Sequence, residues 1–566
     1  MQESLELELQ PDPARLTWPC FLEDVVNRHG DRVALFQPSA PAPEWQSLTY
    51  RELDARARDW AKRLVGMGVV KGTRVAVLMP NCNQWVVMAF AVSLVGGVLV
   101  PANTFATPDE LDYILRHSDA SVLLMHSGLG RHEFLADLLE RHQEIREGQP
   151  GLILCPALPQ LRRVVCLDLE TERGGVEAGG SFEAVAKEVD DALLEGIEQE
   201  IHPADDAILI YTSGTTSHPK GVFHRHRAAV IQSWRFAEDM GLTADDRVLT
   251  AQPMFWTAGI VMSLGASLAA GATLILEPVF EPSRFLDLIE QESVTTLHAW
   301  PHQEKSMAEE EGASSRDLSS LRKIEFSSPL AELAGLTADE WGTYGSYGMS
   351  ETFTLASSLP ADTPAELRKA TSGRPLPGMT IRILDPETGE PVEEVGAPGE
   401  IAVRGATLMS GYYKTDPELY LDSEGLFRTQ DGGFFDEDGL LHWTGRLSNL
   451  IKTGGANVSP LEIEAVVNPW SEVHISAALG IGHPTLGEVI ILCVVRAVGA
   501  VVEEEEILSR LRERLSAYKL PRRVLFPNPG DVDYTANQKL QIDSLRQWVE
   551  AQLSEEHVEI AGFVYG

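Results

Sequence analysis

Residues 211–222 read YTSGTTSHPKGV. Five of the first six side chains carry a hydroxyl, the other position is Gly214, and Pro219, Lys220 and Gly221 follow. Such a turn gathers backbone N–H groups and hydroxyls around one spot and adds a lysine charge, which is the chemistry of a phosphate cradle. It does not match the G-x-x-x-x-G-K-[ST] spacing of a Walker loop. Read alone, the stretch also suits a polar surface loop after a strand. The apolar run at 208–211 predicts the strand that delivers it, and a helix is predicted behind it over 226–240. In the order strand, loop, helix, the helix N-terminus is expected to add its dipole to the anion site.

Outward from this loop the chain alternates. An amphipathic helix is predicted over 50–67, a buried strand over 75–79, an apolar helix from Trp85, and a strand over 98–101. A helix over 108–117 and a strand over 122–125 continue the pattern. Residues 140–180, rich in Glu, Gly and Pro, read as surface excursions around a strand at 164–167. Beyond the loop another alternating unit runs over 248–290, followed by strands at 294–298 and 324–326. Strands separated by helices predict a parallel sheet covered on both faces. Short strands with the turns DPETGE and GAPGE over 381–403 predict a small β subdomain. After Gly445 and Arg446 comes a tail of about 120 residues, of ordinary domain size. The fold class is α/β. A large N-terminal domain, 1–446, holds parallel-rich sheets with helices and the β subdomain, and a small α+β C-terminal domain, 447–566, follows.

A length of 566 residues calls for at least two domains. The balance of 46 basic against 84 acidic residues, a net charge of −38, disfavours nucleic acid and anionic membrane surfaces as partners. Anionic substrates must then be met by local basic groups. Cys20, Cys82, Cys155, Cys166 and Cys493 show no paired spacing, which fits a reduced compartment and argues against a disulfide framework or a zinc site. The acidic N-terminus MQESLELELQPDP has no apolar core and is not read as a signal peptide. The charge-free run 256–276 is long enough to span a bilayer. Gly259, Gly265 and Gly271 punctuate it, so it reads as a buried helix, turn and strand, with no transmembrane segment. A cytoplasmic monomer or homodimer is expected.

Four further motifs join the loop. YTSGTTSHPKGV resembles the phosphate loop of the adenylate-forming superfamily, which includes acyl- and aryl-CoA synthetases, adenylation domains of peptide synthetases and luciferases. YGMSE at 347–351 is similar to that family's YGxTE, and FRTQD at 427–431 to its YxTGD. GRLSNLIKTGGANVSPLEIE at 445–464 resembles its hinge and following loop, and TANQKLQIDSLR at 535–546 its ending. The resemblance implies activation of a carboxylic acid by ATP and Mg²⁺, then transfer to CoA, with rotation of the small domain between the two steps. It puts Thr212, Ser213, Gly214, Thr215, Thr216 and Lys220 on the phosphates, and Tyr347 and Gly348 at the nucleotide with the Tyr347 ring on adenine. Ser350 meets the α-phosphate and Glu351 the metal. Asp431 accepts the ribose hydroxyls, and Arg446 reaches ribose or phosphates. Lys539 becomes the adenylation lysine and Ser448 the hinge; Thr453, Gly454 and Gly455 form the loop over the CoA tunnel. Ser217, Gln430, Ser448 and Gln538 depart from the residues usual in the family.

By the same resemblance the acid pocket is lined by Trp256, Trp300, His302, Ser327, Ser328, Tyr344 and Gly345. Trp256 stands where many relatives have His, so its role is steric, a wall beside the thiol tunnel or a plain core tryptophan. No Asp lies between Ala251 and Met262, which disfavours an α-amino acid. His298 and His302 are read as pocket-wall residues or substrate contacts. The run HRHR at 224–227 is read as a solvated charged turn or an aid to phosphate binding. The leading expectation is an ATP-dependent carboxylic acid–CoA ligase. The alternatives are an adenylating enzyme with a carrier protein, amine or other acceptor, and a nucleotide-binding protein without turnover.

Overall fold

The apolar core of DAILIYT forms the strand Asp206–Thr212, buried through its centre inside an eight-stranded sheet. The protein is described by a computed structural model that covers residues 13–185, 189–212, 219–447, 451–453, 456–515, 519–534 and 540–566. Across that sheet the order is Gly411–Tyr412, Lys220–Arg225, Asp206–Thr212, Val98–Pro101, Arg74–Leu78, Val122–Met125, Arg163–Cys166 and Val176–Ala178. From Asp206–Thr212 to Val176–Ala178 every pairing is parallel, as strands alternating with helices require.

The strand that follows the loop was not foreseen. Lys220–Arg225 returns antiparallel to Asp206–Thr212, with Thr212 opposite Lys220. The helix His226–Asp239 begins where expected but at the far end of this strand, about 17 Å along it at ~3.3 Å per residue. The expected strand–loop–helix order is therefore a strand–loop–strand hairpin, and the helix dipole does not serve the loop.

A second sheet runs Thr296–His298, Arg247–Thr250, Thr273–Leu276, Val33–Phe36 and Ser47–Thr49, parallel except at its last pair. Side chains from both sheets, among them Val75, Leu99, Ile208, Leu35, Val248 and Leu274, share one apolar layer with the helices between them. The run 256–276 lies in that layer as a π-helical turn, Gly259–Gly265, then Ala266–Ala270, Gly271 at φ +78° and the strand Thr273–Leu276. A Cβ on Gly271 would lie 2.5 Å from the His29 ring, so both its backbone and its space demand glycine. Among the described residues no helix is long and apolar enough to cross a membrane.

Two expectations fail locally. Residues 324–326 form no strand; only Lys323 bridges to Thr296, and Phe326 is exposed. An alternating IEF triplet is too short to hold a ladder without a partner on its other side. Residues 140–180 are more than surface excursions: they supply the edge strand Val176–Ala178 and bury Ile153, Cys155, Leu158 and Leu161.

Contacts divide the chain into two compact units, 1–381 with 403–427, and 382–402 with 428–566. The β subdomain is a four-stranded sheet of Met379–Leu384, Gly399–Gly405, Phe427–Phe435 and Leu441–Arg446. The C-terminal α+β part is built on the long hairpin Val473–His483 with Gly487–Arg496. Period-two alternation gives that hairpin two apolar faces. Leu479, Ile491 and Cys493 meet the helix Ile542–Glu555, while Ala478, Ile490 and Leu492 meet Pro460–Val467 and Glu504–Arg512.

Candidate active site

The hairpin that carries the hydroxyl-rich turn is closed by the Thr212–Lys220 pair. Ser213, Gly214, Thr215 and Thr216 lie outside the described residues, as do Ser448, Gly454, Gly455 and Lys539. At the base of the turn, Lys220 Nζ stands 4.8 Å from the centroid of the Tyr412 ring. Tyr412 Oη donates to Glu351 Oε1 at 2.5 Å. Tyr412 belongs to the strand Gly411–Tyr412, which pairs with Lys220–Arg225 at Tyr412–Val222. Main-chain pairing thus sets one aromatic side chain between the lysine and the carboxylate assigned to the metal. The sequence reading missed Tyr412, and its only signal is the G-Y-Y run after an apolar strand.

YGMSE forms a turn fixed from behind. Tyr347 is buried, and its backbone pairs with Ser357. A Cβ on Gly348 would lie 1.9 Å from the Thr354 carbonyl oxygen, so the chain can pass there only as glycine. Ser350–Thr352 is a 3₁₀ turn, and Phe353 and Thr354 follow at φ +50° and +93°. Its carbonyls are taken up by two side chains: His224 Nε2 donates to Ser350 O at 2.7 Å, and Gln232 Nε2 donates to Leu355 O at 2.8 Å. His224 also meets the Phe353 ring edge-on at 4.5 Å. His224 and His226 are fully buried, so 224–227 is no solvated turn; its histidines are braces rather than phosphate ligands. Burial pushes the His224 imidazole down to about 3, which keeps it a neutral donor.

In the second unit, Asp431 and Arg446 are cross-strand partners, with Arg446 Nε 3.1 Å from Asp431 Oδ1. Arg446 Nη1 also donates to Thr429 O at 2.7 Å. Gln430, standing where the family has glycine, keeps the left-handed backbone at φ +61°. Glu400 holds it there: its Oε1 accepts from Gln430 N at 2.9 Å and its Oε2 from Arg428 Nε at 2.7 Å. Thr453 is buried and ends the strand Ile451–Thr453.

The residues assigned to the acid pocket divide. Trp256 and Trp300, both half-buried, meet edge to face at 6.1 Å, and Phe255 lies 5.2 Å from Trp256. Asn81 fixes the segment before them, donating to Gln252 O and accepting from Met254 N, each at 2.9 Å. Ser327 and Tyr344 are exposed and 3.4 Å apart at their hydroxyls. His302 is exposed on the first turn of Pro301–Ala308. Ser328 is buried and caps Pro329–Leu333 by accepting from Leu330 N. Gly345, at φ +84°, lets the chain pass the backbone of Arg368.

Among the described residues no three His, Cys, Asp or Glu side chains converge as a metal cage. Glu351 offers one carboxylate oxygen beyond the one bound to Tyr412. One carboxylate beside a phosphate site suits Mg²⁺, which is commonly held by one or two carboxylates, waters and substrate phosphates.

The model of the AMP-binding enzyme matches residues 22–413, and that of its C-terminal domain residues 462–539. The chain belongs to the AMP-binding enzyme family. Its relatives include a putative acyl-CoA synthetase, YngI of Bacillus subtilis, 30% identical over 93% of this chain and 96% of that protein. Among solved structures, ATP-bound MatB from Rhodopseudomonas palustris is 26% identical with a TM-score of 0.76, covering 94% of this chain and 98% of that one. The amide bond synthetase McbA from Marinactinospora thermotolerans is 27% identical with a TM-score of 0.74, covering 94% and 99%.

Proposed function

We propose that this protein is an AMP-forming carboxylic acid–CoA ligase. A carboxylate oxygen of the acid attacks the α-phosphorus of ATP, giving an acyl-adenylate and pyrophosphate. The CoA thiol then attacks the acyl carbon, and AMP leaves with the electron pair of the broken C–O bond. The observation that supports this reading is the grip of Tyr412 on Glu351 and Lys220 at the mouth of the hydroxyl-rich hairpin. Fixed charges placed before the reaction need no reorganisation as charge develops.

Lys220, with Thr212, Ser213, Thr215 and Thr216, holds the outer phosphates. Mg²⁺ on Glu351, when bound, screens the phosphate charge. Ser350 meets the α-phosphate, Tyr347 the adenine and Asp431 the ribose, with Arg446 beside it. Lys539 offsets the charge shared by carboxylate and α-phosphate. Trp256 and Trp300 wall the acid, excluding water from the adenylate. In this reading the small domain turns about 446/447, with Ser448 as hinge and Thr453, Gly454 and Gly455 beside the CoA path.

The test is AMP, pyrophosphate and thioester production from MgATP, CoA and a panel of aryl, branched and fatty acids. Thioester formed in step with AMP supports the ligase. The likeness to an amide bond synthetase favours a second reading, the same adenylate passed to an amine. Adenylate that accumulates regardless of CoA but is consumed by amines would select that reading.

A further inference from the structure

Thr250 and His298 are directly paired residues on neighbouring parallel strands, at their carboxyl ends. Leu249 and Leu297, one residue earlier on each strand, point into the apolar layer with helix Pro282–Gln291. By alternation Thr250 and His298 face the opposite side, toward the layer between the two sheets. In open α/β sheets ligands enter at this edge, and Trp256 and Trp300 leave from it.

Ser263, from the π-helical turn, joins the pair into a buried knot. Its Oγ lies 2.9 Å from Thr250 Oγ1, 3.1 Å from Gln252 Oε1 and 3.0 Å from His298 Nδ1. Ser263 has one hydrogen, and Gln252 Oε1 can only accept, so that hydrogen goes to Gln252. Thr250 and His298 must then both donate to Ser263 Oγ. This puts the imidazole hydrogen on Nδ1 and leaves Nε2 a bare lone pair. His298 is 5% exposed, and Nε2 has no partner among the described residues. Burial holds the ring neutral, pushed down to about 4. Among the described residues no carboxylate joins the knot, and a neutral imidazole lone pair there accepts from a hydroxyl or N–H donor.

We propose that His298 Nε2 is a hydrogen-bond-accepting subsite of the acid pocket, and that the acid carries a hydroxyl or N–H donor remote from its carboxylate. This rests on the ligase reading above. The carboxylate must reach the phosphate loop, which hangs from the other sheet, so His298 meets another part of the molecule. An all-hydrocarbon acid buries Nε2 unpaired, which sites of this kind reject strongly.

The experiment compares pyrophosphate release for ortho-, meta- and para-hydroxyphenylacetate, the aminobenzoates and the hydroxyoctanoates, each against its methyl counterpart. In the wild type at least one donor acid is expected to exceed its counterpart by about tenfold or more in kcat/KM. The ratio should collapse toward 1 in His298→Phe, and fall in Ser263→Ala, where the tautomer is no longer fixed. Nitrogen-15 spectra of histidine-labelled wild type give a readout independent of any variant's folding. They should show a bare Nε2 in the free protein that shifts on binding the preferred acid. A protonated Nε2 in the free protein, or ratios near 1 for every acid turned over, overturns the subsite but leaves the ligase standing. Silence across the whole panel overturns both.

Discussion

Tyr412 Oη lies 2.5 Å from Glu351 Oε1 and donates its hydrogen to it, while Lys220 Nζ sits over the same ring. One side chain thus sets the distance between a carboxylate and a cation that repetitive structure alone would leave to two mobile rotamers. A hydrogen bond to a charged group contributes about 1.5–3 kcal/mol. Tyr412→Phe is expected to lower kcat/KM for MgATP roughly 10- to 100-fold by the same figure and to raise the Mg²⁺ concentration needed for half-maximal pyrophosphate release. An unchanged Mg²⁺ titration would show that Glu351 needs no such support.

Gln430 occupies a left-handed backbone that costs a side-chain-bearing residue about 1–2 kcal/mol, of which glycine's greater unfolded-state freedom returns only part. Gln430→Gly should therefore raise unfolding stability by about 0.5–1 kcal/mol, and Gln430→Val lower it by more than 1 kcal/mol, roughly, because β-branching fits that region worst. Thermal or urea unfolding ranks the three proteins. The order glycine, glutamine, valine is expected, and a valine variant as stable as the wild type would contradict it.

Much of this was readable from the sequence, for identifiable reasons. Strands such as 75–79 and 122–125 are continuous apolar runs bounded by turns, and burial on both faces leaves them no other reading. The capping boxes at Thr49 and Thr107, which have the S/T-x-x-E spacing, came to light only in the structure. The strand Lys220–Arg225 was not readable, because KGVFHR carries three charged or titratable residues and is apolar only where Asp206–Thr212 and Tyr412 cover it. His224 and His226 misled for the same reason: a basic run looks solvated until its partners, the Ser350 carbonyl and the Trp18 N–H, are known. Tyr412 lay in a motif with no catalytic residue type, and its contact with Glu351 spans 61 positions.

The buried histidines make an acid-stability prediction. His224 is pushed down to about 3, and His226 and His298 to about 4, from an ordinary 6.5. Their folded values are depressed, so the unfolded chain binds the protons first. The stability they allow is complete above pH 6.5 and is lost as pH falls toward 4. The three protons they take up on unfolding contribute a slope that approaches about 4 kcal/mol per pH unit. Urea unfolding from pH 7 to 5 measures it. His224→Gln should lower the slope by about 1.4 kcal/mol per pH unit, the share of one proton, whereas an equal slope would place the acid sensitivity elsewhere.

Gly348 offers a sharper structural test. Alanine there would set its Cβ 1.9 Å from Thr354 O, backbone that cannot swing away as a side chain can. The YGMSE turn must then open. Calorimetric ATP affinity should fall by at least about tenfold, the effect of overpacking by more than ~1 kcal/mol, with the rest of the first unit still folded by circular dichroism. Wild-type affinity in Gly348→Ala would mean that the turn does not touch the nucleotide.

The central claim is that an acyl-adenylate lies between acid and thioester. The direct measurement starts from an acid labelled with oxygen-18 at both carboxylate oxygens, turned over with MgATP and CoA. Attack by the carboxylate on the α-phosphorus predicts one labelled oxygen in AMP and one retained in the thioester. AMP free of label, alongside labelled inorganic phosphate or none, would contradict the account.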